Sequence, residues 1–123
     1  MTPETIKIDE VEYVRKDSIQ QQQKVTNVSG LPYMMVRTHS AGVFAGYLAE
    51  RNGQECKLLQ ARRIWYWDGA ASLSQLATDG TSKPANCKFP CEVFEVILTQ
   101  VIELIPITQI AKKSIDGVKV WKQ

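Results

Sequence analysis

The stretch Val43-Phe44-Ala45-Gly46-Tyr47-Leu48-Ala49-Glu50-Arg51-Asn52-Gly53-Gln54-Glu55-Cys56-Lys57-Leu58-Leu59-Gln60 decides the fold. Two apolar or alternating runs flank Asn52-Gly53, a pair that closes tight hairpins because it accepts positive φ at little cost. Val43 to Glu50 is therefore expected to pair antiparallel with Glu55 to Gln60. Upstream, Tyr33 to Thr38 forms another apolar run, joined through the short loop His39-Ser40-Ala41-Gly42. The three make an antiparallel meander.

Outward from this centre, Ala61-Arg62-Arg63-Ile64-Trp65-Tyr66-Trp67 reads as further strand, either separate or continuing the third across a bulge. After Asp68-Gly69 the period changes. Ala70, Leu73, Leu76 and Ala77 fall at helical spacing, and Asp79-Gly80 closes a short helix. Thr81 to Pro90 carries Lys83-Pro84, Asn86 and Pro90 with little periodicity, which predicts a surface loop. Val93 to Ile105 is rich in Val and Ile and returns to the sheet. Ile107, Ile110, Ala111, Ser114 and Ile115 then give an amphipathic helix, with Thr108 as its cap and Gly117 past its end. Before the meander, Ile6 to Val14 alternates like a strand ribbon, Lys16 to Val28 gives a helix with a thin apolar stripe, and Val28 to Pro32 is a connector. The fold class is α+β, strand-rich.

The 123 residues suit one hydrophobic core rather than two, so residues 1–123 are read as a single domain, with 31–123 as its core and 1–30 available for oligomerisation. Hydrophobic residues at 44% and charged residues at 23% fit a globular chain. Fifteen basic and 13 acidic side chains leave a formal charge of +2, too small to draw the chain to duplex nucleic acid or a membrane by bulk field. An anion site must be local. MTPETIKIDE lacks the basic and apolar regions of a secretory signal, and Glu103 and Pro106 break the longest apolar runs. A cytoplasmic location is expected.

Cys56, Cys87 and Cys91 are an odd set for a disulfide framework. With His39 they could make a Cys3His zinc set, although Cys87 and Cys91 match the ligand spacing only loosely. Three buried thiols is the plainer expectation, and no metal or cofactor is assigned. His39 is the only histidine, and no thiol, hydroxyl or carboxylate stands at a nucleophile–base spacing from it. P-loop, dinucleotide and His-Glu zinc motifs are absent from the sequence. A non-enzymatic role is expected.

The densest chemistry lies in Arg62 to Gly69. On a strand, Arg63, Trp65 and Trp67 would share one face, so an arginine could bind phosphate while an indole stacks on a base. An aromatic core with arginines at its edge explains the same residues. Gly69, read as opening the helix, would leave the amides of Ala70, Ala71 and Ser72 free for an anion; an ordinary helix start capped by Asp68 is the alternative. Composition and spacing leave these readings open.

Val36-Arg37-Thr38-His39-Ser40-Ala41-Gly42-Val43-Phe44-Ala45-Gly46, then Ala61-Arg62-Arg63-Ile64-Trp65-Tyr66-Trp67-Asp68-Gly69-Ala70 and Ser82-Lys83-Pro84, resemble the first family of Thoeris anti-defence proteins, encoded by phages and prophages. The resemblance runs from about Tyr33 to Pro106. It implies a sponge that holds glycocyclic ADP-ribose, made by the host's TIR-domain sensor, without cleaving it. It further implies homo-oligomers with pockets shared between chains and, in some members, a separate site for cyclic trinucleotides.

A cyclic ADP-ribose isomer offers an adenine to stack, a diphosphate to neutralise and ribose hydroxyls to bind. The residues assigned are Trp65, Trp67 and Phe89 for stacking and Arg37, Arg62, Arg63 and Lys83 for phosphate. Ser40, Ala41, Gly42, Gly69, Ala71, Ser72, Thr81 and Asn86 would close the site with polar groups. Two other classes use the same residues: a single-stranded nucleic-acid module, with the aromatics as a stacking platform, and a structural or assembly protein of a phage, with the aromatic face as a subunit interface.

Overall fold

The computed structural model describes residues 25–123. The sequence reading of Ile6 to Val14 as a ribbon, and most of the helix read over Lys16 to Val28, lie outside these residues. The end of that helix is corrected: Thr26 makes an isolated bridge to Pro32, with a turn between them whose Ser29 and Leu31 amides donate to Asn27 Oδ1. Asn27 favours this local bonding over continuing a helix.

Five strands follow: β1 (Tyr33–Thr38), β2 (Val43–Asn52), β3 (Glu55–Arg63), β4 (Glu92–Leu98) and β5 (Val101–Pro106). Every pairing is antiparallel, in the order β4-β3-β2-β1-β5. Helix α1 (Leu73–Asp79) and a 3-10 turn at Pro84–Asn86 lie between β3 and β4, and α2 (Gln109–Asp116) follows β5. This is one strand-rich α+β domain.

The β2–β3 hairpin forms where Asn52-Gly53 placed it, one position later than a central Asn-Gly turn. Asn52 pairs with Glu55, and Gly53 takes the positive φ of 62° at the first turn position. β4 and β5 occupy opposite edges of the sheet, yet only Thr99 and Gln100 join them. Edges of a flat five-stranded sheet would lie about 19 Å apart. Three Cα–Cα steps reach about 11 Å at most. The sheet therefore curls into a partly closed barrel. His39 N donates to Gln100 O and Val101 N to Gln54 O, both at 2.9 Å, stitching loop to loop where the edges meet.

Curling creates two cores. Met34, Val36, Phe44, Leu58, Ala61, Leu98 and Val101 fill the inside, while Tyr33, Met35, Ala45, Ile64 and Ile107 pack outward against Leu76 and Ala77 of α1 and Ala111 and Ile115 of α2. Each fully buried aliphatic or Phe side chain contributes about 1.5–3 kcal/mol by leaving water. The caps are local and legible. Ser72 Oγ accepts from Gln75 N at the start of α1, and Thr108 Oγ1 accepts from Ala111 N at the start of α2. No helix among the described residues is long and apolar enough to cross a membrane.

One irregularity in β3 decides where the chemistry goes. Tyr47 pairs with Leu59 and Ala45 with Arg62, so β3 carries one residue more than β2 over this interval. Gln60, at φ 51°, takes up the excess. Opposite it, Gly46 leaves room: a Cβ there would stand 3.1 Å from Ala61 Cα. The bulge shifts the inside–outside parity, so that Leu58, Ala61 and Arg63 share the inner side and Arg62 turns outward beneath the helices.

Candidate functional site

Consecutive arginines consequently have different surroundings. Arg62 is 7% exposed. Its Nε donates to Pro90 O at 3.0 Å and its Nη1 to Ile115 O at 2.9 Å, while Nη2 donates to Phe89 O at 3.1 Å and Val118 O at 2.8 Å. The guanidinium also lies 5.4 Å from the centroid of the Phe89 ring. Burial lowers its pKa from the ordinary arginine value, while the nearby phenol of Tyr33 and the carboxylates of Asp116 and Glu92 act in the opposite direction. Arg62 binds the chain's own carbonyls and cannot also serve as the phosphate ligand the sequence suggested. Phe89, 0% exposed, is likewise corrected: its ring belongs to the core and offers no face for stacking.

Arg63 is exposed and lies over the Phe44 ring at 4.3 Å from its centroid, with Nη1 donating to Ala41 O. That one bond leaves most of its five N–H donors facing outward. Thr38 shapes the adjoining loop, its Oγ1 donating to Gly42 O and accepting from Ala41 N. Ser40 Oγ donates to Gln100 Oε1. The structure thus brings Arg63, Ser40, Ala41 and Gly42 together at one rim of the barrel. Arg37, on β1, is held to Glu103 at 2.8 Å across β5, so its charge is already paired.

Trp65 and Trp67 do not lie on a sheet strand. The chain leaves β3 after Arg63, and beyond it only Tyr66 makes a bridge, to Lys88. Trp65 is 62% exposed, whereas Trp67 is half-buried against the helix-side core. The expected shared face is corrected accordingly.

Gly69, Thr81, Lys83 and Asn86 form a second cluster. Thr81 Oγ1 donates to Asp68 O at 2.5 Å and accepts from Lys83 N; Ser82 N donates to Gly69 O, and Asn86 Nδ2 to Asp68 Oδ2 at 3.0 Å. Gly69 has φ 83°, and a Cβ on it would stand 2.5 Å from Lys83 N. The Asn86 amide and the Gly69 N–H hold the Asp68 carboxyl below the usual carboxylate range. The helix start read at Gly69 is also corrected: α1 begins at Leu73, Ser72 is its cap, and Ala71 N donates to Gln75 Oε1. The Ala71 amide and the Ser72 hydroxyl are thus occupied within the protein.

The cysteines divide in a way that differs from three buried thiols. Cys56 and Cys87 are buried and Cys91 is exposed. Among the described residues no three His, Cys, Asp or Glu side chains converge as metal ligands.

A third feature has no signature in the sequence. Lys88 Nζ lies 5.9 Å from the Tyr66 ring centroid and 5.7 Å from that of Trp121. Phe89 bridges to Val120, and Trp121 N donates to Phe89 O, which brings the tail beside the 88–89 segment. The three residues are far apart in sequence and share no motif, so only the tertiary bridges reveal the cluster.

Among the described residues, a curled five-stranded antiparallel sheet with two helices on its outer side, and an exposed arginine at one rim, defines the class of domain. The chain belongs to the DUF6948 family, described as a domain of unknown function, whose family model matches residues 31–115. No curated protein and no solved structure matches it.

Proposed function

We propose that the protein is a non-catalytic sponge for a compact phosphorylated nucleotide, a cyclic ADP-ribose isomer such as glycocyclic ADP-ribose. In this reading it acts in the bacterial cytoplasm, holding the product of a host TIR-domain defence protein away from its effector and so blocking Thoeris signalling. The observation that carries the reading is Arg63: exposed, oriented by Phe44 and Ala41, and two residues from the exposed indole of Trp65.

Such a pair suits the ligand. The guanidinium neutralises a diphosphate through several donors at once, and the indole stacks on adenine. The Ser40–Gly42 loop supplies backbone beside Arg63. Because Phe44 and the Ala41 carbonyl already orient the side chain, less rotamer entropy is lost on binding, and each 1.4 kcal/mol so retained is worth about tenfold in affinity.

The test is to incubate the purified protein with glycocyclic ADP-ribose and its isomers, remove unbound material, denature the complex and identify the released molecule by mass spectrometry. Recovery of the intact ring is the expected result. A linear product would make the protein a hydrolase, and no recovery would remove the reading.

A further inference from the structure

Tyr66, Lys88 and Trp121 form a surface that the reading above does not use. Tyr66 is 50% exposed and Trp121 36%, with the Lys88 ammonium between their rings. Beside Trp121 a groove of about 430 Å³ opens between the 3-10 turn and the tail, lined by Pro84, Ala85, Cys87, Gly117, Lys119 and Trp121. Lys83 precedes this turn and Lys122 follows Trp121; both are exposed, as are Lys88 and Lys119. Lys88 thus stands at both exposed rings, Lys119 lines the groove beside Trp121, and Lys83 and Lys122 are exposed on the segments that border it. Asp68, on the adjoining loop, already accepts from Gly69 N and Asn86 Nδ2.

We infer that this strip is a docking surface for single-stranded nucleic acid, distinct from the Arg63 rim. Charge complementarity selects a polyanion. The rings add a requirement that charge alone does not, because an open aromatic face stacks on an unpaired base and a base inside a duplex offers no such face. A lysine between two rings is placed to meet the phosphate that links two successive stacked bases. The groove beyond Trp121, lined by Lys119, continues the track.

The experiment is fluorescence anisotropy of a labelled short oligothymidylate with the full chain, against the same probe annealed to its complement and against polyglutamate. The expected result is binding of the single strand that weakens steeply between about 50 and 200 mM salt. Trp121→Ala and Tyr66→Ala should each weaken it at least about fivefold. Lys88→Ala should lower the salt slope by about one. Trp121→Phe should retain binding, and melting curves of each variant separate lost stacking from lost folding. The inference is overturned if the single strand does not bind, if duplex or polyglutamate binds as well, or if folded aromatic variants bind undiminished. Arg63→Ala should leave this binding intact, so its outcome is separable from that of the sponge reading.

Discussion

Arg62 and Arg63 are adjacent in the chain and stand in opposite regions of the molecule. Beneath the helices, Arg62 is a staple: one buried cation gathers carbonyls from Phe89, Pro90, Ile115 and Val118, tying β3 to the segment before β4 and to the end of α2. At the barrel rim, Arg63 donates to one carbonyl and presents the rest of its guanidinium to solvent. The same side chain serves architecture in one place and is available for recognition in the other. What separates the two is one extra residue, Gln60, rather than any difference between the arginines.

The comparison can be broken from the helix side first, where the effect is largest. Arg62→Met keeps bulk and removes every donor: Phe89 O keeps Trp121 N and Ile115 O keeps Val118 N, but the carbonyls of Pro90 and Val118 must find water or remain unpaired. Urea denaturation should show a loss of about 3–5 kcal/mol, and a loss under about 1 kcal/mol would show that the staple carries little. Gly69→Ala is next. It forces a side chain into positive φ with its Cβ against Lys83 N, so about 2 kcal/mol should be lost, and the Thr81–Asn86 loop should gain proteolytic sensitivity. At the rim, Arg63→Ala should change stability by less than about 1 kcal/mol, the worth of an exposed cation–π contact, because no buried partner is orphaned.

The smallest effect is expected at Asp68, which is only partly buried. Its folded carboxyl lies below the ordinary range, chiefly through Asn86 and then Gly69, so its contribution is present above the unfolded carboxylate pKa and disappears as pH falls through the folded value. Wild type should exceed Asp68→Asn slightly in melting temperature at neutral pH, and the difference should close in acid. A gap that widened in acid would contradict the assignment.

Much of the fold was legible because local chemistry and tertiary packing agree. Asn52-Gly53 placed the hairpin, Thr108 and Gly117 bracketed α2, and the apolar runs marked the strands, although the single run Val93 to Ile105 is two strands at opposite edges of the sheet. The errors share a physical cause. A bulge after Gln60 was one of two open readings, but Gln60 carries no turn signature to decide it, and strict alternation put Arg63, Trp65 and Trp67 on one face. Once the chain leaves the sheet at Ile64, strand parity ceases to apply. Arg62 and Phe89 looked like ligand groups because an arginine beside aromatics reads alike whether its acceptors are phosphates or buried carbonyls. Lys88 and Trp121 meet only through the Phe89–Val120 bridge, a contact with no local signal.

The most direct measurement is calorimetric titration of glycocyclic ADP-ribose into wild type, Arg63→Ala and Trp65→Ala, with a melting curve recorded on each sample. The rim account requires saturable binding to wild type and at least about a tenfold loss in each variant, with melting temperatures nearly unchanged. Equal affinity in all three folded proteins, or no binding to wild type, would contradict it.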